Sequence, residues 1–234
     1  MIKPYYKTDL GVLYHGDCLE IMPMLEPVDL VLTDPPYNSS YGRDIERKWR
    51  PSSIKHTFGD WDFNFNPNLF IDLAVKLNPK GFVCFVSDNT FGKTYDLLFK
   101  EYEYCKYIVW EKTNPSPSIR KTTWRQSTEL IIHAHNLGEI NFISQREMRN
   151  ILKENTCFAE SVDHPTQKPL SIINKILIVA KGDLVLDPFL GSGTTAVSCE
   201  KNNRRWIGIE IEEKYCEIAA KRIEKERSQL KLWA

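Results

Sequence analysis

Residues 34 to 37 form an acidic corner whose side chains and carbonyls suit chemistry on a planar amine. The tetrapeptide Asp34-Pro35-Pro36-Tyr37 directly follows the apolar run 28–33, which predicts that it lies at the end of a β-strand. Two consecutive prolines fix the backbone and remove two N–H donors, so the carbonyls of Asp34 and Pro35 are open to hydrogen bonds from a ligand. With the ring of Tyr37, these acceptors predict a pocket for an unstacked nucleobase that presents an exocyclic NH2 group. Taken alone, the tetrapeptide also fits a Pro-Pro turn that only closes a strand.

A glycine-rich turn at residues 189–194 has the layout of a nucleotide site, because it joins a short apolar strand to a helix start. Its glycines let the backbone approach a ligand closely, and Thr194 or Thr195 can cap the following helix. The spacing fits neither the dinucleotide fingerprint nor a phosphate-binding P-loop, since no Gly-Lys pair follows. Asp187 at the entrance would repel a pyrophosphate, but it suits a ligand with an ammonium and a sulfonium, as in S-adenosylmethionine.

A second acidic strand end is Glu210, which follows the apolar residues 206–209. It lies about 20 residues beyond the glycine turn, where an acidic side chain in such folds accepts hydrogen bonds from ribose hydroxyls. The alternative interpretation is a solvated strand end.

These segments together resemble the amino-methylating DNA methyltransferases, which use S-adenosylmethionine to methylate N6 of adenine or N4 of cytosine. Residues 34–37 match the Asp/Asn/Ser-Pro-Pro-Tyr/Phe motif of that family, and Phe189, Gly191 and Gly193 match its Phe-x-Gly-x-Gly turn. The catalytic motif precedes the cofactor motif, which resembles the β group, a circularly permuted arrangement of the same sheet. The resemblance implies that Asp34, Pro35, Pro36 and Tyr37 are the catalytic residues.

Two further segments agree with the resemblance. Residues 164–169 (His-Pro-Thr-Gln-Lys-Pro) match the family's cofactor-side motif, which implies contacts to the methionine end of the cofactor. Residues 12–20 are similar to the segment that receives the cofactor's adenine, although Asp17 also fits a helix N-cap. The cofactor-binding residues implied in this way are Asp17, Cys18, Asp34, Thr166, Gln167, Lys168, Asp187, Phe189, Gly191, Ser192, Gly193, Thr194, Glu210 and Ile211.

The elements that must position these residues alternate between strands and helices over a single domain, residues 1–234. Strand patterns lie near residues 12–16, 28–33, 82–86, 107–110, 130–135, 184–187 and 206–209. Helical spacings of apolar residues cover 66–77, 91–102, 170–180, 195–201 and 212–230. The pattern and the resemblance predict a Rossmann-like α/β fold: a seven-stranded, mostly parallel methyltransferase sheet with helices on both faces. The ligand crevice then lies at the carboxyl ends of the strands.

Several other classes of protein are disfavoured. The six cysteines contain no Cys-x-x-C pair, so neither a metal site nor a disulfide framework is expected. No Pro-Cys dipeptide occurs, which removes the nucleophile signature of carbon-5 cytosine methyltransferases. His133 and His135 share a strand face, but without cysteine or carboxylate companions a structural role is expected. No apolar run of about 18 residues and no secretion signal is found, so a cytoplasmic protein is expected.

The net charge of zero is the main objection to a DNA substrate, because phosphate binding normally demands a basic face. Two basic stretches, 43–56 and 112–125, answer part of it, although both also fit solvated loops. The DNA-contacting loops are expected at 38–66 and 111–127, with a reduced target-recognition segment at 136–163. The DNA-binding candidates are Arg43, Lys48, Arg50, Lys112, Arg120, Lys121 and Arg125.

The resemblance favours adenine N6 as the target, because Asp at the first motif position is commoner in the adenine enzymes and Ser in the cytosine enzymes. Cytosine N4 stays open, as do an RNA or protein-amide substrate and an inactive cofactor-binding partner subunit. Double-stranded DNA is the expected partner. A homodimer and a cognate restriction endonuclease stay open.

Overall fold

One sheet of nine strands forms the centre of the computed structural model, which describes residues 2–37, 66–77, 79–117, 124–157 and 167–231. The strands are β1 (Tyr6–Lys7), β2 (Gly11–His15), β3 (Leu30–Thr33), β4 (Gly81–Val86), β5 (Tyr104–Lys112), β6 (Thr128–His135), β7 (Ile151–Glu154), β8 (Leu184–Asp187) and β9 (Arg205–Glu210). Their order across the sheet is β1-β2-β9-β8-β3-β4-β6-β5-β7.

Helices cover both faces of this sheet. They are α1 (Cys18–Ile21), followed by a 3-10 turn (Met22–Met24), α2 (Pro67–Lys76), α3 (Phe91–Glu101), α4 (Leu170–Val179), α5 (Thr194–Lys201) and α6 (Glu213–Lys231). The side chains of α4, α5 and α6 pack into one apolar cluster, and those of α1, α2 and α3 pack into another. Successive residues of β3 enter the two clusters alternately, because neighbouring side chains of a strand point to opposite faces.

The prediction of a mostly parallel sheet covered on both faces is confirmed. Five strand pairings are parallel and three, β1/β2, β4/β6 and β5/β6, are antiparallel. All seven predicted strands have counterparts, and the sheet has two more. These are the two-residue β1 and the four-residue β7, both too short and polar to give a periodic signal. The circular permutation stays a prediction.

Strand β7 lies inside the segment predicted to be a reduced target-recognition segment. It pairs in parallel with β5, from Val109 opposite Ile151 to Lys112 opposite Glu154. Part of that segment therefore extends the sheet edge. Within the described ranges, no helix combines the length and the apolar character needed to cross a membrane.

Four neighbouring parallel strands bring the predicted acidic residues to one edge. Across the sheet, β2, β9, β8 and β3 stand in that order and run in the same direction. At their carboxyl ends lie, in the same order, Asp17, Glu210, Asp187 and Asp34. The sequence predicts only that each of these carboxylates lies at a strand end. The order of the strands shows that they form a row.

Candidate functional site

Asp34 lies immediately beyond β3, with its two carboxylate oxygens in different situations. Its Oδ2 accepts a hydrogen bond from Lys168 Nζ at 2.5 Å. Its Oδ1 is buried and has no hydrogen-bond partner among the described residues. A buried acceptor without a partner is costly, so this oxygen is suited to a donor supplied by a ligand. Pro35 and Pro36 are buried and follow the strand without an N–H donor of their own.

Lys168 is the centre of an ion-pair network around this carboxylate. The lysine side chain is only 8% exposed, and its Nζ also lies 3.5 Å from Glu129 Oε2. Glu129 Oε1 is in turn paired with Lys112 Nζ at 2.8 Å. Two carboxylates and two ammonium groups thus alternate in a partly buried chain, from Asp34 through Lys168 and Glu129 to Lys112.

Burial and these neighbours shift the ionisation of the network. Burial raises the pKa of Asp34, Lys168 offsets this in part, and the charge of Glu129 adds to the rise. Burial alone would lower the pKa of Lys168, but the two carboxylates outweigh it and raise that pKa. Burial would raise the pKa of Glu129, but the two lysines outweigh it and lower that pKa. The ammonium of Lys168 is therefore held in its charged form by two anions.

Tyr37 is fixed by contacts at its backbone and its hydroxyl. The Tyr37 carbonyl accepts a hydrogen bond from Ser87 Oγ at 3.1 Å, just beyond β4. The Tyr37 hydroxyl donates to Glu129 Oε2 at 3.4 Å. Lys168 Nζ lies 5.2 Å from the centre of the Tyr37 ring, within the range of a cation–π interaction. The ring is therefore tied to the same network as Asp34.

The glycine turn lies between β8 and α5, and residues of α6 pack against it. Gly193 has φ +85°, and a Cβ atom there would lie 2.9 Å from Ala219 Cβ on α6. Arg222, also on α6, donates from Nη1 to the Ser192 carbonyl at 2.5 Å and to Ser192 Oγ at 2.9 Å. The same nitrogen lies 3.3 Å from Thr194 Oγ1. Helix α6 therefore holds the turn in place.

Asp187, the last residue of β8, connects the glycine turn to the acidic corner. Its Oδ1 accepts from Thr33 Oγ1 at 2.8 Å and from the Phe189 backbone N–H at 3.1 Å. Thr33 directly precedes Asp34 in the chain, so one hydrogen bond joins the two halves of the site. Burial raises the pKa of Asp187 to about 6.

Glu210 and Asp17 both bind backbone N–H groups at the same edge. Glu210 accepts from Gly191 N at 2.7 Å through one oxygen and from Glu212 N at 2.9 Å through the other. Burial raises the pKa of Glu210. Asp17 caps α1 by accepting from Leu19 N at 2.8 Å, which is the alternative that the sequence left open. Each of these carboxylates keeps a lone pair for a further donor, so their roles toward ribose and adenine stay predictions.

The remaining predicted cofactor residues differ in their surroundings. Cys18 is buried, and burial raises the pKa of its thiol to about 12. Phe189 packs edge-on against Phe70 of α2, with the ring centres 5.1 Å apart, and Ile211 is exposed. Thr166 lies outside the described residues. The placement of Lys168 on Asp34 gives this lysine a partner on the catalytic side, and its contact to the methionine end stays a prediction.

The donors and acceptors present fit S-adenosylmethionine. Gln167 Oε1 is a second buried acceptor without a partner among the described residues, and it belongs to the motif that the sequence assigns to the cofactor. Asp34 Oδ1 is the first, and the row of carboxylates suits a cationic ligand. Gly193 has no side chain, so a ligand can approach the backbone of the turn closely at this position.

The described part of the chain includes two of the predicted DNA-binding residues. Lys112 is only 15% exposed and engaged with Glu129, so a phosphate contact would compete with that ion pair. Arg125 is exposed, and its guanidinium donates to the carbonyls of Ser116 and Pro115. The other predicted DNA-binding residues, which lie outside the described ranges, are Arg43, Lys48, Arg50, Arg120 and Lys121.

Sequence reasoning missed Glu129, Ser87 and Thr33. Glu129 is the second residue of the largely apolar strand β6, which runs antiparallel to β4 with Leu130 opposite Val86. That direction brings the start of β6 to the edge where the parallel strands end. A charged residue at the start of an apolar strand was the available signal, but strand direction cannot be read from strand patterns alone.

Comparison with known proteins identifies close similarities along almost the whole chain. A family model described as DNA methylase, of the N6/N4 methyltransferase type, matches residues 28–221. The type II methyltransferase M2.DpnII of Streptococcus pneumoniae is 31% identical over 97% of this chain and 94% of its own length. The type II methyltransferase M2.LlaDCHI of Lactococcus lactis subsp. cremoris is 29% identical over 96% of this chain and 93% of its own.

Solved structures agree with these relatives. The M1.HpyAVI complex with S-adenosylmethionine superposes with a TM-score of 0.68 and 29% identity, over 91% of this chain and all of that one. The PvuII cytosine-N4-specific DNA methyltransferase superposes with a TM-score of 0.71 at 19% identity, over 97% of this chain and 93% of that one. At that identity, the second likeness concerns the fold alone.

Proposed function

Because this chain belongs to the N6/N4 DNA methylase family, we propose that it methylates the exocyclic amine of a flipped base in double-stranded DNA, with adenine N6 as the target. The chain is an S-adenosylmethionine-dependent DNA methyltransferase. The proposal concerns the base, the residues that act on it, and the partners.

The row of carboxylates along the sheet edge carries the assignment of residues. From β2 to β3 it runs Asp17, Glu210, Asp187, Asp34. The proposed roles follow the same order: adenine, ribose, the ammonium end of the cofactor, and the reacting amine. The cofactor therefore lies along the ends of β2, β9 and β8, and the reacting amine of the base lies beside it at the end of β3.

The acidic corner activates a weak nucleophile in this proposal. The lone pair of an exocyclic amine is delocalised into the ring of the base. Asp34 Oδ1 and the Pro35 carbonyl each accept one N–H, which draws the nitrogen toward a tetrahedral geometry. When bound, S-adenosylmethionine supplies an electrophilic methyl group on its sulfonium. Tyr37 stacks on the extruded base, a contact worth about 1–3 kcal/mol per base.

Adenine N6 is preferred because Asp34 occupies the first position of the tetrapeptide. Cytosine N4 is the second candidate, since both amines offer two N–H groups to the same acceptors. Methyl-labelled S-adenosylmethionine with unmethylated DNA, followed by nucleoside analysis, tests the choice. We expect labelled N6-methyladenine, and labelled 4-methylcytosine would overturn it. Parallel incubations with RNA and with protein test the alternative substrates, and no methyl transfer to any of them would favour an inactive partner subunit.

The remaining assignments are proposals of the same kind. The single domain spans residues 1–234, and DNA is contacted by loops 38–66 and 111–127 with the short segment 136–163. So short a segment favours a short target or the help of a second copy of the chain. A cognate restriction endonuclease is a further proposed partner, in keeping with the names of the type II relatives. We also propose a cytoplasmic location, in keeping with an action on DNA.

A further inference from the structure

Glu129 connects the catalytic corner to a pair of lysines. Its side chain is 16% exposed at the start of β6. One carboxylate oxygen faces Lys112 at 2.8 Å, and the other faces Lys168 at 3.5 Å and the Tyr37 hydroxyl at 3.4 Å. Both Lys168 and Tyr37 are direct neighbours of Asp34 in the site.

We propose that Glu129 is a positioning residue for methyl transfer: it holds Lys168 on Asp34 Oδ2 and fixes Tyr37, which leaves Asp34 Oδ1 open to the amine. This inference rests on the proposed function. The geometry supports it because Oδ2 is occupied by Lys168 and Oδ1 is buried without a partner among the described residues. A carboxylate held on one side presents its other oxygen in a defined direction.

The charges give Glu129 a second reason to be present. Methyl transfer would keep the reacting centre cationic: as the S–C bond breaks and the N–C bond forms, the positive charge of a sulfonium would pass to the amine nitrogen, until that nitrogen loses a proton to solvent. Lys168 and Lys112 bring two positive charges close to it, and Asp34 alone compensates only one. Glu129 brings the four side chains to a net charge of zero, which removes a repulsion that would grow in a partly buried site.

Among the described residues, five charged or titratable groups face Asp34 from different parts of the fold. They are Lys168 before α4, Glu129 of β6, Tyr37 of the corner itself, Cys84 of β4 and Asp187 of β8. Glu129 raises the pKa of Asp34, after the larger effect of burial. Removing the charge of Glu129 should therefore lower the pKa of Asp34, both directly and by leaving Lys168 to Asp34 alone.

The experiment compares Glu129→Gln with Glu111→Gln as a matched control. Glu111 lies on the adjacent strand β5, is 42% exposed, and pairs with Lys153 at 3.1 Å. Three quantities are measured: the single-turnover rate of methyl transfer to unmethylated bacterial DNA, the affinity for S-adenosylmethionine by calorimetry, and the Asp34 titration by NMR with 13C-labelled aspartate, assigned with Asp34→Asn.

For Glu129→Gln we expect the single-turnover rate to fall by about tenfold to a hundredfold, as for a misplaced reacting group. Cofactor affinity should fall by much less than the rate does, because the glycine turn and its carboxylates are untouched and Lys168 keeps Asp34 as a partner. The Asp34 titration should move to lower pH. Glu111→Gln should match the wild type in all three. Glu129→Asp keeps the charge with a shorter reach, so Asp34 should titrate as in the wild type while the rate falls.

Two results would overturn the inference. One is a Glu129→Gln rate equal to that of the control, and the other is a slower rate with the Asp34 titration unmoved, which marks a merely structural role. If Glu129→Gln fails to fold, a wild-type rate in Glu129→Asp would also overturn the inference. A wild-type protein that methylates no DNA would overturn the proposed function instead, and the Asp34 titration would still test the pairing.

Discussion

At the scale of single residues, two buried acceptors of the site have no donor among the described residues. Asp34 Oδ1 and Gln167 Oε1 are buried without partners in the described part of the chain, and each would cost stability unless a ligand donates to it. The site is thus built for ligands that carry N–H groups, which both a base amine and a cofactor ammonium supply.

Asp34→Ala should reduce methyl transfer by about a hundredfold to a thousandfold or more, the usual cost of removing a group that stabilises the reacting centre. Cofactor binding should remain measurable, because the glycine turn and its carboxylates are untouched. Single-turnover assays and calorimetry check both expectations. Asp96→Ala, an exposed residue of α3 paired with Lys100, is the control. Full activity in Asp34→Ala would refute the catalytic role.

The affinity for S-adenosylmethionine should rise with pH as the pH passes about 6. Burial raises the pKa of Asp187 to about 6, so below that pH the side chain is neutral and attracts a cation less. Above it, the carboxylate is ionised and favours the ammonium end of the cofactor. Calorimetry between pH 5 and 7.5 measures this slope.

The same slope should flatten in Asp187→Asn and persist in Asp183→Asn, an exposed aspartate beside it in the chain. An unchanged slope in Asp187→Asn would assign the pH dependence to another group.

At the scale of elements, the glycine turn depends on the close packing of α6. The positive φ of Gly193 and its close approach to Ala219 disfavour any side chain there. Arg222 forms hydrogen bonds to the residues on either side, Ser192 and Thr194. Helix α6, which the sequence predicts only as helical spacing over 212–230, therefore supports the cofactor turn.

Gly193→Ala should destabilise the fold more than Gly138→Ala. Both glycines have φ near +85°, so both pay the backbone cost of a residue with a Cβ, about 1 kcal/mol. Only Gly193 also faces atoms within 3 Å of the new Cβ, which adds about 1–3 kcal/mol. Urea unfolding gives the difference in free energy. Equal losses of unfolding free energy in the two variants would mean that α6 shifts to accept the new Cβ without destabilising the fold.

The elements were predictable where their patterns were long. Helices α2, α3 and α4 fall within two residues of the predicted bounds, because their apolar residues recur at helical spacing. Strand β5 is longer than the predicted 107–110, since its polar and exposed first residues hide its start. The motifs located Asp34, Asp187 and Glu210, but the partnership of Lys168 with Glu129 could not be foreseen. It depends on how distant strands are ordered.

At the scale of the whole molecule, a second buried network ties the sheet edge opposite β7 to the helices. Glu200 of α5 accepts from Thr8 Oγ1 at 2.6 Å and from Trp206 Nε1 at 2.9 Å, and Arg227 of α6 lies 3.7 Å from its other oxygen. This network touches none of the proposed catalytic residues. It therefore bears on stability rather than on the reaction.

Glu200→Ala should lower the free energy of unfolding by about 3 kcal/mol, because two buried donors, Thr8 Oγ1 and Trp206 Nε1, lose their acceptor. Chemical denaturation checks this value. The control is Glu217→Ala, an exposed residue that pairs with Lys221 on α6, which should leave the denaturation midpoint almost unchanged. Similar midpoints for both variants would show that solvent replaces the lost acceptor.

The adjacency of β2, β9, β8 and β3 also fixes the distance between the two ends of the site. Neighbouring strands are about 4.8 Å apart, so three steps from Asp17 to Asp34 measure on the order of 14 Å. Side-chain substitutions can change the chemistry at Asp17 or Asp34, but only a different strand order would change the distance between them. A variant meant to transfer a group larger than methyl must therefore gain space by smaller side chains above β8 and β3.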